Sequence, residues 1–243
     1  MDQQGIKKIY NKIVIDKYKN DYEYNRWFAT PLLQAGFQMM LLIIKKHVLQ
    51  IEPAINNILE LGPGAGTWTK MLQAKFCGAN FDLVDISKEM LDLSKKVFGE
   101  EKFSYFESDF LAWQTDKTYD LFFSSRVLEY FPKKTPVLTK IFSLLNHDKY
   151  GFIITKNPQY WRYHILGKKI PIMHRQQIRP KDLRKLLVKI GFVNIEFYPA
   201  VMTFPIFKSV FINNLIFNLF SNFQLNIISQ LFTEAYIVKF KKQ

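Results

Sequence analysis

Residues 58–68 read ILELGPGAGTW, from Ile58 to Trp68. Three of the chain's ten glycines, Gly62, Gly64 and Gly66, fall within five positions, directly after a short apolar run that carries Glu60. Glycines between a strand and a helix clear side chains from the turn, as a ligand requires if it is to approach the backbone at a helix N-terminus. The spacing narrows the ligand. A dinucleotide loop, G-x-G-x-x-G, would set its third glycine at position 67, which is Thr67, and Glu60 would repel a pyrophosphate. No Gly-Lys-Ser/Thr follows, so a nucleoside triphosphate loop is excluded too. An acid two residues before the first glycine suits a cationic ligand.

Around this loop, strands alternate with helices. The apolar run 57–61 leads through the glycines into a helix ending near Lys75. FDLVD (81–85) reads as a second strand, and Ser87 is placed to cap the helix that begins with Met90 and Leu91. Short strands follow at 103–106, 119–124 and 151–155, with a helix at 137–145 before the last of these. Pro180 opens a helix that stops at Gly191, and 193–198 and 236–240 complete seven strands. The alternation predicts an α/β doubly wound, mostly parallel sheet with helices on both faces. Its ligands sit outside the carboxyl ends of the strands.

The chain of 243 residues is 48% hydrophobic and 16% aromatic, the composition of a folded protein. The single cysteine, Cys77, excludes an internal disulfide, and the N-terminal stretch MDQQGIKKIYNK has no apolar signal core; both point to the cytoplasm. The net charge is +13, and residues 156–191 hold ten Lys or Arg against one acid, Asp182. That concentration is either a solvated face or the neighbourhood of an anionic ligand, lipid headgroup or nucleic acid.

The pattern Glu60-x-Gly62-x-Gly64-x-Gly66 resembles the first motif of the class I S-adenosylmethionine-dependent methyltransferases, which are Rossmann-like. Other positions match at the family's spacing. The resemblance implies that Asp85, ending the second strand, accepts both ribose hydroxyls, and that Ile86 and Met90 flank the adenine. It implies that Ser108, Asp109 and Phe110 meet the adenine after the third strand, and that Ser125 and Arg126 contact the methionine moiety and the substrate after the fourth. S-adenosyl-L-methionine is the implied cofactor, S-adenosyl-L-homocysteine its product, and no metal is called for. The likeness covers roughly residues 55–198 and the last strand.

Methyl transfer from a sulfonium is an in-line displacement, so alignment supplies most of the acceleration and a base is needed only for a poor nucleophile. Glu129 and His174 are the candidate catalytic residues, and Tyr130, Tyr160 and His164 join Arg126 as candidate substrate contacts. Residues 1–50 are expected to form a helical lid, with Tyr18 and Trp27 near the cofactor, over a methyltransferase domain spanning 51–243. Insertions at 156–178 and 199–232 are expected to cap the acceptor. If 199–232 is helical, Asn214, Asn218, Asn222, Asn226 and Gln230 form a polar stripe with a break near Ser221. The opposite face, Phe211, Leu215, Leu219 and Phe223, then needs cover from the sheet, a second subunit or a bilayer surface. The favoured acceptor is a small or medium-sized molecule such as a sugar, lipid-linked intermediate or secondary metabolite. An RNA acceptor, stacked on Tyr160, Trp161 and Tyr163, and a non-catalytic binding module stay open beside it. Peripheral membrane contact and a monomer or homodimer are both compatible with the sequence.

Overall fold

Asn57–Leu61 forms β1, the central strand, and its residues alternate between two apolar layers: Ile58 faces one, Leu59 and Leu61 the other. The same alternation recurs in β2 (Asn80–Asp85), where Phe81 and Leu83 oppose Val84, and in β4 (Tyr119–Ser125), where Leu121 and Phe123 oppose Phe122. A strand apolar on both sides has to be covered on both, which fixes a three-layer arrangement. The structure is a computed structural model and describes residues 5, 7, 8, 11, 21–51, 54–164, 166, 167, 169, 170 and 175–243, with the side chain of His164 left out.

With β3 (Phe103–Glu107), β5 (Leu145–Lys156), β6 (Phe192–Val201) and β7 (Ala235–Lys242), the sheet has the order β3-β2-β1-β4-β5-β7-β6. β1 pairs in parallel with β2 and β4, and β4 with β5, whereas β7 lies antiparallel between β5 and β6. The carboxyl ends of β1 to β6 therefore meet at one edge. Seven strands, mostly parallel with helices on both faces, is the architecture expected from the sequence.

The helices among the described residues are α1 (Tyr22–Trp27), α2 (Pro31–Ile43), α3 (Thr69–Lys75), α4 (Lys88–Phe98), α5 (Lys134–Leu144), α6 (Trp161–His164), α7 (Pro180–Ile190), α8 (Val210–Phe220) and α9 (Ile227–Phe232). Their boundaries follow local chemistry. Ser87 caps α4 by accepting from the Met90 N–H, and Gly191, at φ 113°, ends α7. The helix read at 137–145 begins earlier, at Lys134, and β5 starts directly at Leu145. α3, the helix after the glycine loop, starts at Thr69, because 64–68 are taken up by the turn.

Residues 199–232 do break at Ser221, and Asn226 caps α9 in a reciprocal pair with Ser229. The face they bury differs from expectation. Asn213 and Phe217 point inward, and Asn213 closes the 204–209 turn by accepting from Phe204 N–H and donating to the Phe207 and Ser209 carbonyls. Phe211, Leu215, Leu219 and Phe223 are left in solvent. The amide satisfies three backbone groups that no apolar side chain could serve, and that decides the rotation of α8.

Candidate functional site

A cavity of about 810 Å³, its open mouth included, lies at the carboxyl edge of the sheet above β1, β2 and β4. The glycine loop forms one wall, and its three glycines serve three needs. Gly62, Gly64 and Gly66 all have positive φ, at 69°, 59° and 88°. A Cβ at Gly62 would stand 2.2 Å from Val127 Cγ2, and one at Gly66 would stand 2.4 Å from Phe98 Cε2. Those two let the loop pack on its neighbours. A Cβ at Gly64 would meet nothing within 4 Å, so Gly64 keeps the wall clear for a ligand.

Asp85 ends β2 opposite this loop. Its Oδ2 accepts from the Gly64 N–H at 3.4 Å and its Oδ1 from the Ser87 N–H at 2.9 Å. Burial pushes its carboxyl up to about 6, against the pull of those N–H donors. Ile86, Met90, Ser108, Asp109 and Phe110 continue the wall, as the sequence resemblance implies. Asp109 accepts from the Leu111 N–H through Oδ1 at 2.9 Å. Ser125, at the end of β4, also lines the cavity, and its buried Oγ has no hydrogen-bond partner among the described residues. Such an orphaned hydroxyl costs free energy unless a ligand satisfies it.

Two residues expected at the cofactor stand behind the wall. Glu60 is buried beneath the loop, where its Oε2 accepts from Thr69 Oγ at 2.8 Å. Burial raises its carboxyl to about 8, with the Asp85 charge adding to that. Gly66 likewise faces α4 and not the cavity. Among the expected aromatics, Trp27 lines the cavity and packs edge-on against Trp68 with ring centroids 5.4 Å apart. Its indole N–H donates to Thr67 Oγ at 3.4 Å, and Thr67 donates to Glu23 at 2.6 Å. The N-terminal segment is thereby tied to the glycine loop. Tyr22 and Arg26 also line the cavity; Tyr22 was invisible to sequence reasoning, since nothing in its surroundings marks it over the exposed Tyr24. Tyr18 and His174 lie outside the described residues, as does the side chain of His164.

At the far end of the cavity, Arg126 and Tyr130 form the floor. Arg126 sits in the left-handed region at φ 65°, with its N–H donated to the Ile154 carbonyl at 2.7 Å. Its Nε donates to Glu129 Oε1 at 2.9 Å, and Thr155 donates to Glu129 Oε2 at 2.7 Å. Burial opposes the charge on Arg126, and Glu129, with Tyr130 and Glu234 adding to it, more than offsets that. Glu129 is fully buried and is not on the cavity wall. Lys156 stands behind this pair, 3.4 Å from Glu234, with its ammonium lowered to about 8 by burial and then by Arg126. Tyr160 is buried with its hydroxyl donated to the Thr203 carbonyl at 2.7 Å, so it is a packing residue and not a cavity contact. The Arg126–Glu129–Thr155 arrangement joins β4 to β5 across the sheet, which no local sequence pattern announces.

The chain is similar to known proteins over part of its length. Residues 58–148 match a family described as "Methyltransferase domain". The chain is 31% identical over 111 residues to malonyl-[acyl-carrier protein] O-methyltransferase 2 of Ilyobacter polytropus, covering 42% of this chain and 43% of that protein. It is 25% identical over 175 residues to malonyl-[acyl-carrier protein] O-methyltransferase of Brevibacillus brevis, covering 63% of each. The match thus spans less than two thirds of the length of either relative. Among solved structures, an S-adenosylmethionine-dependent methyltransferase from Archaeoglobus fulgidus superposes with a TM-score of 0.60 at 19% identity, covering 91% of this chain and all of that one. That likeness establishes the shared fold.

Proposed function

We propose that this chain, a class I S-adenosylmethionine-dependent methyltransferase by motif and fold, transfers the methyl group of S-adenosylmethionine to oxygen or nitrogen of a small or medium-sized acceptor. The observation that carries the reading is one cavity wall holding the open Gly64 backbone, the Asp85 carboxylate and the unpartnered Ser125 hydroxyl. These residues fit an adenosyl amino acid. Asp85 would accept from the ribose hydroxyls, Ile86 and Met90 would flank the adenine, and Asp109 would accept from its amino group. Ser125 would hydrogen-bond the amino-acid end. The cofactor, when bound, supplies an electrophilic methyl on a sulfonium.

The chain's own residues then have to hold the nucleophile in line and keep water out, a contribution worth about 7–11 kcal/mol when alignment is good. Arg126 lines the cavity at the strand end, and an acceptor carrying negative charge that reaches its guanidinium gains a charge-assisted hydrogen bond. The relatives named above bear a malonyl acceptor in their names, which is a carboxylate, and an acceptor of that charge suits Arg126. A carboxylate oxygen is ionised at neutral pH and needs no base. Glu129, occupied by Arg126 and Thr155, holds the guanidinium in place and takes no proton in this scheme.

An RNA acceptor is less well supported. The aromatic run that would stack on bases is turned inward: Tyr160 is buried, and Trp161 and Tyr163 pack edge-on against it at 6.1 and 5.8 Å. Titration calorimetry with S-adenosylmethionine and S-adenosylhomocysteine tests the cofactor; no heat with either would overturn the proposal. Incubation with methyl-labelled cofactor and cell extract, split into small-molecule, lipid and RNA fractions, tests the acceptor. Label is expected in the small-molecule or lipid fraction, and label confined to RNA would refute the acceptor class.

A further inference from the structure

We infer that the exposed face of α8, its following turn and α9 is a docking surface for an anionic phospholipid bilayer. Of the eighteen large hydrophobic side chains that are exposed among the described residues, ten lie between Ile206 and Leu231. Phe211 is 74% exposed, Leu219 and Phe223 65% each, and Ile227 84%. Isolated exposed apolar residues are ordinary, but a concentrated field of them marks a contact surface. The face cannot be turned inward, because Asn213 is committed to three backbone groups on the other side of α8.

Charge selects the occupant. Residues 197–233 contain one charged side chain, Lys208, and no acid. α2, which packs on α8, belongs to a stretch, 27–51, that also has no acid and carries Lys45 and Lys46. Lys46 reaches the end of α8, donating to the Ser221 carbonyl at 3.4 Å, while Lys45 and Lys208 are exposed. Exposed apolar side chains with Lys45, Lys46 and Lys208 in the same two segments, and no acid within 27–51 or 197–233, is the pattern of a helix lying in a headgroup region. A second copy fits poorly, since a two-fold contact through this face would bring the same lysines together with no acid to neutralise them. No described helix is long and apolar enough to cross a membrane, so the contact is with the surface. The segment leaves β6 at Val201 and returns to β7 at Ala235, both at the carboxyl edge that holds the cavity. The docked face would therefore set the cavity beside the membrane.

Vesicle flotation tests this without any methyl transfer, so it stands apart from the transferase proposal. The intact chain should float with phosphatidylcholine vesicles containing phosphatidylglycerol and not with phosphatidylcholine alone. The double substitution Leu219→Asp, Phe223→Asp should abolish flotation with an unchanged melting temperature, because both side chains are in solvent. Lys45→Gln with Lys208→Gln should weaken binding to anionic vesicles at least tenfold, on the scale of about 1 kcal/mol per surface lysine. Absence of flotation, equal flotation on neutral vesicles, or a dimer in sedimentation that Leu219→Asp splits would each overturn the inference.

Discussion

Arg126 donates from Nε to Oε1 of Glu129 at 2.9 Å while its own backbone sits in the left-handed region at φ 65°. A side chain there is strained by about 1–2 kcal/mol, so the fold holds a guanidinium in a position that glycine would occupy at less cost. Two substitutions separate backbone strain from side-chain loss. Both Arg126→Gly and Arg126→Ala remove the guanidinium from Glu129, which keeps its hydrogen bond from Thr155. The glycine variant should nonetheless be the more stable of the two by about 1 kcal/mol in urea unfolding, the reverse of the usual order of these residues. An alanine variant equal to or more stable than glycine would show that φ carries no strain.

Asp85 must be ionised to accept from two hydroxyls, and burial has moved its carboxyl up to about 6. Affinity for S-adenosylhomocysteine should therefore be level above about pH 7 and fall as pH drops through 6. Asp85→Asn should lose about 1–3 kcal/mol of binding at pH 7.5, the scale for a charge-assisted pair, and should flatten the pH profile between 5 and 7. Calorimetry across that range reads both. An unaltered slope in the variant would place the titrating group elsewhere.

The loop glycines should separate under alanine substitution. At Gly66 the added methyl meets Phe98 and Ser94 Oγ at 2.4 and 2.9 Å, so Gly66→Ala should cost about 2–4 kcal/mol of stability with no ligand present. At Gly64 the methyl points into open cavity, so Gly64→Ala should cost only the positive-φ penalty of about 1 kcal/mol. Its larger effect should fall on the cofactor, with affinity reduced tenfold or more. Chemical denaturation and calorimetry on both variants give the comparison, and equal stability losses would remove the distinction drawn between them.

The same loop shows how far the sequence alone carries. Strand, glycines and helix N-terminus are all local, and the residues implied for the cofactor after β2, β3 and β4 sit at strand ends, so one fold-level inference places Asp85, Asp109 and Ser125 together. Glu60 and Gly66 look like contacts in the sequence because a motif gives order along the chain and not which side of the turn a residue faces. Tyr160 was read as a contact from an aromatic run whose burial depends on Thr203, forty-three residues away. The Glu129–Thr155 bond and the rotation of α8 about Asn213 likewise depend on pairings between separate elements. Periodicity identifies two faces of α8; it cannot tell which face a satisfied amide will draw inward.

Glu60 gives the last prediction. Its carboxyl, near 4.5 in a free chain, is raised to about 8 by burial, with Thr69 Oγ opposing and the Asp85 charge assisting. Between about pH 5 and pH 8 the folded chain therefore holds a proton that the unfolded chain has released, so stability falls as pH rises through that window. The limiting slope is about 1.4 kcal/mol per pH unit for one proton. Asp85 contributes with the same sign but is fully ionised soon above pH 6, while Lys134 and Lys156, both lowered to about 8 by burial, act with the opposite sign as pH nears 8, so Glu60 is read from the difference between the wild type and a variant that lacks its carboxyl. Glu60→Gln keeps an acceptor for Thr69 and removes the titration. Urea unfolding at pH 6, 7 and 8 should show the wild type losing stability relative to the variant as pH rises, with the variant the more stable at pH 8. A difference between wild type and variant that does not change from pH 6 to 8 would mean that Glu60 is ionised beneath the loop.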